Sequence, residues 1–201
     1  MTDCNPVATP IDKGTHLRNG SSETYEDARM YQALIGSLTY AAMSTRPDIG
    51  YITQYLSQSN KNPLQCDWNA AKRVLRYLKG TKDLGIVFRR DLNVMHSKHN
   101  PVMPWGYCNA NYAEDSCNQK STSGYTCMFT GGTISWKSKK QASVSLSTTE
   151  AEYYALGITC QEAVWKKQFC QELLMSLNNP IHIYSDNTGA IALSDNPVFH
   201  N

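Results

Sequence analysis

The spacing of apolar residues changes character once along this chain, and that change dictates a two-part architecture. Between Tyr25 and Gly80 hydrophobic side chains recur every three or four positions, the period of helices with one buried stripe. From Val102 to Ser138 they fall instead in short runs divided by glycine and polar turns, as strands do. The two patterns need different backbone hydrogen bonding. A helical segment over residues 1–90 and a sheet-based second domain over 101–201 are therefore expected, with the polar tract 89–100 as the boundary.

Proline sets the helix starts in the first part. Residues 1 to about 22 are rich in Pro, Thr, Asn and Gly and read as an extended lead-in. A helix is expected from Tyr25 to Met43, capped by Ser21 or Ser22, with Tyr31, Leu34, Ile35 and Leu38 on its apolar stripe. Arg46-Pro47 ends it and opens a second helix with Pro47 at the first helical position and Ile49, Ile52, Tyr55 and Leu56 inward. Asn62-Pro63 repeats the device for a third helix carrying Trp68, Ala71, Val74, Leu75 and Leu78, which stops at Gly80 in the C-terminal glycine position. Leu84 to Phe88 reads as a strand.

In the second part, Val102–Tyr107, Thr122–Thr130 and Thr133–Ser138 read as strands, the last two forming a hairpin through Gly131-Gly132. A long helix from Thr148 to Leu177 follows, capped by Ser147 or Thr148, with Ala151, Tyr154, Ala155, Ile158, Ala163 and Trp165 on its apolar side. A strand, Ile181–Tyr184, and a short helix, Thr188–Ser194, complete the order β-β-β-α-β-α.

Bulk properties exclude some classes. With 41% hydrophobic and 18% charged residues the chain is not of disordered composition, and a formal net charge of +2 gives no global drive toward nucleic acid. Seven scattered cysteines without any CxxC spacing read as free thiols rather than a zinc site or a disulfide framework. No basic and apolar leader opens the chain and no apolar run is long enough to span a bilayer, so an intracellular protein without a membrane partner is expected.

Three positions fall where this topology converges: Asn109 after the first strand, Glu152 in the first turns of the long helix, and Asp186 at the end of the fourth strand. Carboxylates so placed can hold Mg²⁺, and two such ions about 3.5–4 Å apart can activate water for phosphodiester cleavage. Taken singly, each of these positions reads more readily as a structural or solvated surface residue than as a ligand. Glu150 reads as a helix-start charge, the five histidines have no ligand spacing, and Lys137, Lys139, Lys140 and Lys166 form either a phosphate-binding or a solubilising face.

Longer stretches carry a resemblance. Ser121-Thr-Ser-Gly-Tyr125, Ile134-Ser-Trp-Lys-Ser-Lys-Lys-Gln141, Leu146-Ser-Thr-Thr-Glu-Ala-Glu-Tyr153, Asp186-Asn187 with Ala190-Ile-Ala-Leu193, and Asn196-Pro-Val-Phe-His200 resemble the RNase H domain of copia-type retrotransposon Pol polyproteins. Tyr31-Gln-Ala-Leu-Ile-Gly-Ser-Leu-Thr-Tyr40, Thr45-Arg-Pro-Asp-Ile49 and Arg76-Tyr-Leu-Lys-Gly-Thr81 look like the connection that joins its reverse transcriptase to RNase H. The resemblance implies an α/β fold of the α+β kind, a helical connection followed by an RNase H-like mixed sheet with flanking helices. It also implies a four-carboxylate Mg²⁺ site that cuts the RNA of RNA–DNA hybrids.

Carried over by position, Glu152 matches the helix glutamate and Asp186 the strand aspartate, and these two would be the metal ligands. Where the family has an Asp-Ala-Asp-Trp-Ala-like run this chain reads Asn109-Ala-Asn-Tyr-Ala113, so the first ligand is an amide. The family continues past Pro-Val-Phe-His to a fourth aspartate, and this sequence stops at Asn201, so the RNase H-like domain reads as truncated. The expectation is a remnant without activity or cofactor, Mg²⁺ being relevant only to residual cleavage, with an RNA–DNA hybrid as a weak partner.

Arg73-Val74-Leu75-Arg76 matches the Arg-x-Leu-Arg pattern of oomycete effectors, and the chain resembles proteins classed as secreted RxLR effectors. That resemblance implies secretion, a host protein partner, and action in the nucleus or cytoplasm of a host cell. On the third helix Val74 and Leu75 would pack inward while both arginines project to solvent.

Overall fold

The computed structural model describes residues 4–12, 23–88, 104–115, 118–173, 179–196 and 198. The chain divides into two compact units, Met1–Ile86 and Val87–Asn201. It has the mixed helix-and-sheet composition expected, consistent with an RNase H-like α+β fold.

The first unit contains α1 (Ala28–Ser44), a short 3-10 turn (Pro47–Ile49), α2 (Gly50–Ser57) and α3 (Gln65–Gly80). The expected stripe forms its core: Tyr31, Ile35 and Leu38 of α1 are buried against Ile49, Ile52, Leu56, Ala71 and Val74. Burying each large side chain contributes on the order of 1.5–3 kcal/mol. The Tyr31 hydroxyl is satisfied inside by donating to the Leu56 carbonyl at 2.8 Å.

Several boundaries differ from expectation. Asp27, not Ser21 or Ser22, caps α1 by accepting the Met30 N–H at 2.9 Å; the two serines lie outside the described residues. Pro47 opens the 3-10 turn rather than α2 itself. Pro63 precedes the α3 N-cap, because its carbonyl accepts the Tyr25 N–H where Thr24 and Leu64 form an isolated bridge. Gly80 is the last helical residue rather than one past it. Leu84–Phe88 is irregular, not a strand.

Around the second helix start lies a polar network that helical periodicity cannot reveal. Arg46 forks onto Asp48 through Nε–Oδ1 at 2.9 Å and Nη2–Oδ2 at 2.7 Å, and also donates to the Thr81 carbonyl and hydroxyl. The Tyr77 hydroxyl completes the set by donating to Asp48 Oδ2 at 2.7 Å. Burial alone would raise the Asp48 carboxyl, but hydrogen bonds from Arg46 and Tyr77 and the guanidinium charge outweigh it and hold the group below its ordinary value of 3.8.

The second unit is a four-stranded sheet of β1 (Trp105–Asn111), β2 (Thr122–Phe129), β3 (Gly132–Lys140) and β4 (His182–Tyr184), in order β3-β2-β1-β4. The first three strands are antiparallel neighbours, and β4 runs parallel to β1. Helix α4 (Thr148–Glu172) packs on β1 and β2, and α5 (Thr188–Asp195) packs on α4. The hairpin turn is Thr130-Gly131, one residue earlier than expected, with φ of 47° and 80°; Gly132 already pairs with Phe129. Two successive positive φ values suit the strand twist and favour glycine.

On α4 the buried face is Ala151, Glu152, Ala155, Thr159, Ala163 and Cys170. Tyr154 and Trp165, expected inward, are exposed, and alanine and threonine take the inner positions of the helix. The helix ends at Glu172, and residues 174–177 of the expected longer helix lie outside the described residues, as do residues 102 and 103 of the expected first strand.

The depressed Asp48 carboxyl stabilises the first unit fully above its unfolded value near 4, and that contribution is lost as pH falls through the lower folded value. Asp48→Asn should cost roughly 1.5–3 kcal/mol at neutral pH and should flatten the acid limb. Hydrogen exchange of core amides in α1 and α3, followed against pH, checks both.

Candidate functional site

The region around Glu152 is assembled by three local devices. Ser147 caps α4 by accepting the Glu150 N–H at 3.1 Å, and the Glu150 carboxylate accepts the Leu146 N–H at 2.7 Å, so Glu150 is a capping residue. Gln141, 3% exposed, donates to the Ser123 hydroxyl on β2 and to the Ala151 carbonyl on α4, while its oxygen accepts from Ser145. Asn187 caps α5, and a Cβ at Gly189 would come within 3.0 Å of Thr149, so glycine lets α5 sit close to the start of α4.

These devices bring Glu152 and Asp186 into electrostatic reach of each other. Glu152 is 7% exposed, one carboxylate oxygen takes the Ala110 N–H of β1, and Oε2 has no hydrogen-bond partner. Burial pushes its carboxyl up, the Ala110 hydrogen bond opposes this, and the Asp186 charge adds to the rise. Asp186 itself lies just past β4 and is exposed.

Asn109 does not join them. It lies within β1, opposite Gly124, rather than after the strand. Its neighbours Cys108 and Ala110 face α4, and strand alternation turns the exposed Asn109 side chain to the opposite face. Among the described residues no group of three or more His, Cys, Asp or Glu side chains converges as metal ligands do. The donors among the described residues, one orphaned carboxylate oxygen and one exposed aspartate, are fewer than a two-cation site needs. Burial raises the Cys108 thiol of this region despite a hydrogen bond with Ser185, and pushes that of Cys127, which lies nearer Glu162, up to about 11.

The other singled-out residues divide. Lys137, Lys139 and Lys140 line one cleft, whereas Lys166 pairs with Glu162 at 3.0 Å and lies over the Trp165 ring. Val74 is buried and Leu75 packs against the core, as expected. Arg73 and Arg76 do not project freely: Arg73 pairs with Asp12 at 2.6 Å and Arg76 donates to the Asn5 carbonyl at 2.8 Å, fastening the N-terminal stretch to α3. Of the histidines, His182 is an exposed β4 residue, and His16, His96, His99 and His200 lie outside the described residues. Gln141 and the Arg46–Asp48–Tyr77 network were missed in sequence, although Gln141 closes one of the quoted motifs.

A helical unit is thus followed by a mixed sheet against which α4 places Glu152, with Asp186 just past β4. The chain belongs to the sequence family of copia-type retrotransposon Pol polyproteins, which also takes in a protein named as an RxLR effector. It is 41% identical over 200 residues to the retrovirus-related Pol polyprotein from transposon RE2 of Arabidopsis thaliana, and 37% identical over 206 residues to that from transposon TNT 1-94 of Nicotiana tabacum. Both alignments cover 100% of this chain but only 13% and 15% of the polyproteins, so it corresponds to a small part of either. It is 42% identical over 135 residues to secreted RxLR effector protein 161 of Plasmopara viticola, across 67% of this chain and 89% of that protein. No protein-family model matches the chain, and no solved structure does.

The two buried polar residues of this region should respond oppositely to substitution. Gln141→Ala strands the Ser145 and Ser123 hydroxyls and the Ala151 carbonyl, and should cost about 1–3 kcal/mol. Glu152→Gln keeps an acceptor for Ala110 and removes a poorly solvated charge, so stability should hold or rise. Urea unfolding at pH 7 measures both; a loss above about 2 kcal/mol for Glu152→Gln would make that residue structural.

Proposed function

We propose that the second unit is a retrotransposon-derived RNase H-like module without hybrid-cutting activity, and that the chain's role is binding rather than catalysis. The observation that carries this reading is Asn109: a neutral, exposed amide that strand alternation turns away from the α4-facing side of β1. An amide cannot supply the negative charge that holds two divalent ions close together. The partner that suits such a module is an RNA–DNA hybrid, held without turnover.

A cleavage assay on labelled RNA–DNA hybrid in Mg²⁺ and in Mn²⁺ tests the reading. The wild-type chain and Asn109→Asp should both stay at background, because the new carboxylate would face away from Glu152. Robust wild-type cutting that disappears in Glu152→Gln would establish a Mg²⁺-dependent nuclease and overturn the proposal.

A second reading, an effector acting in plant cells, is favoured by the likeness across 89% of the Plasmopara protein and by Arg73–Arg76. In its favour stand sequence likenesses only, and both arginines already fasten residues 5–12. No helix among the described residues is long and apolar enough to cross a membrane. Leaf-cell expression scored for suppression of triggered cell death tests this reading, which requires suppression beyond that of an inert control protein.

A further inference from the structure

One cleft away from Glu152 and Asp186 combines partial enclosure with unbalanced charge. It lies between α4 and the β2–β3 strands and encloses about 230 Å³. Ten residues line it; three are lysines and none is acidic. The chain as a whole is almost charge-balanced, with 19 basic and 17 acidic residues, so this concentration does not follow from composition.

The fold explains how the charges meet. Lys137 and Lys139 are two apart on β3, paired with Tyr125 and Ser123 of β2, so alternation turns both toward α4. Tyr154, Ile158 and Gln161, spaced by four and three, form the facing stripe of the helix. Lys140, at the end of the strand, is neutralised by Asp115. The ammonium groups of Lys137 and Lys139 have no ion-pair partner among the described residues, and both side chains are exposed.

The size and donors select a ligand. The volume is below the roughly 300–1,000 Å³ of typical organic-ligand pockets, which suits a compact anion. Two ammonium groups, the Tyr154 hydroxyl and the Gln161 amide supply several donors, as a phosphate group with its many acceptor oxygens requires. Ile158 gives the cleft an apolar side, and Ala155 beneath it is almost wholly buried. The exposed rim of Lys137, Lys139 and Tyr154 leaves the phosphate's two ester links free to continue outward.

We infer that this cleft seats one backbone phosphate of a bound polynucleotide, held by Lys137 and Lys139 with Tyr154 and Gln161 completing its hydrogen bonds. The inference deepens the binding role proposed above and rests on it. Fluorescence anisotropy of a labelled RNA–DNA hybrid, titrated with the full chain across a KCl series without divalent ions, tests it. Each lysine on a phosphate contributes about 0.9 to the slope of log affinity against log salt, so Lys137→Gln/Lys139→Gln should lower the slope by about 1–2. Lys166→Gln, outside the cleft, should leave slope and affinity unchanged, and circular dichroism of each variant should match wild type.

Hybrid binding with an unchanged slope in the double variant overturns the cleft while leaving the binding role intact. No hybrid binding by wild type overturns both, and protection of Lys137 and Lys139 from acylation by millimolar inorganic phosphate would then mark a free-anion site instead. Neither result bears on whether the chain cuts hybrid.

Discussion

Gln141 is the residue through which the second unit becomes a single body. Its side chain reaches β2 through Ser123, α4 through the Ala151 carbonyl and the preceding loop through Ser145, all with almost no exposure. In a low-dielectric setting such bonds are strong when complete and costly when broken. Ala151 is next to Glu152, so the contact that docks α4 also fixes the height of Glu152 over Ala110 of β1. Glu152 on Ala110 of β1 and Glu162, which accepts from Ser135 of β3 at 2.6 Å, add to this polar docking, while the small apolar side chains on the inner face supply little area.

That docking has two consequences on opposite sides of one helix. Toward β1 it buries a carboxylate with an orphaned oxygen beside an exposed aspartate, a charge arrangement costly to keep and lacking its expected third member. Toward β2 and β3 it opens a cleft in which lysines face tyrosine and glutamine. The proposed binding role without cleavage rests on these two features together: a carboxylate pair beside β1 and a lysine-lined cleft beside β2 and β3.

How much of this was legible follows from what each kind of pattern encodes. Helical periodicity found the first unit's core, Tyr31 to Val74, because one apolar stripe buries one face. Strand boundaries drifted by a few residues: β1 runs to Asn111, which moved Asn109 from a loop into a strand and fixed its side by alternation. Tyr154 and Trp165 were misread because apolar character says nothing about the space beneath a helix, and here alanine and threonine took the inner positions. Polar anchors such as Gln141 and the Arg46–Asp48–Tyr77 network have no period at all. Asn187 and Ser147, by contrast, follow the local chemistry of helix starts.

The claim on which the rest turns is that Asn109, Glu152 and Asp186 no longer form a two-cation site. Mn²⁺ binding to the full chain, followed by electron paramagnetic resonance, measures this without reference to turnover. The account predicts at most one weakly held ion, lost in Glu152→Gln, at millimolar Mn²⁺. Two ions bound together, with the spin–spin coupling of neighbouring metals, would contradict it.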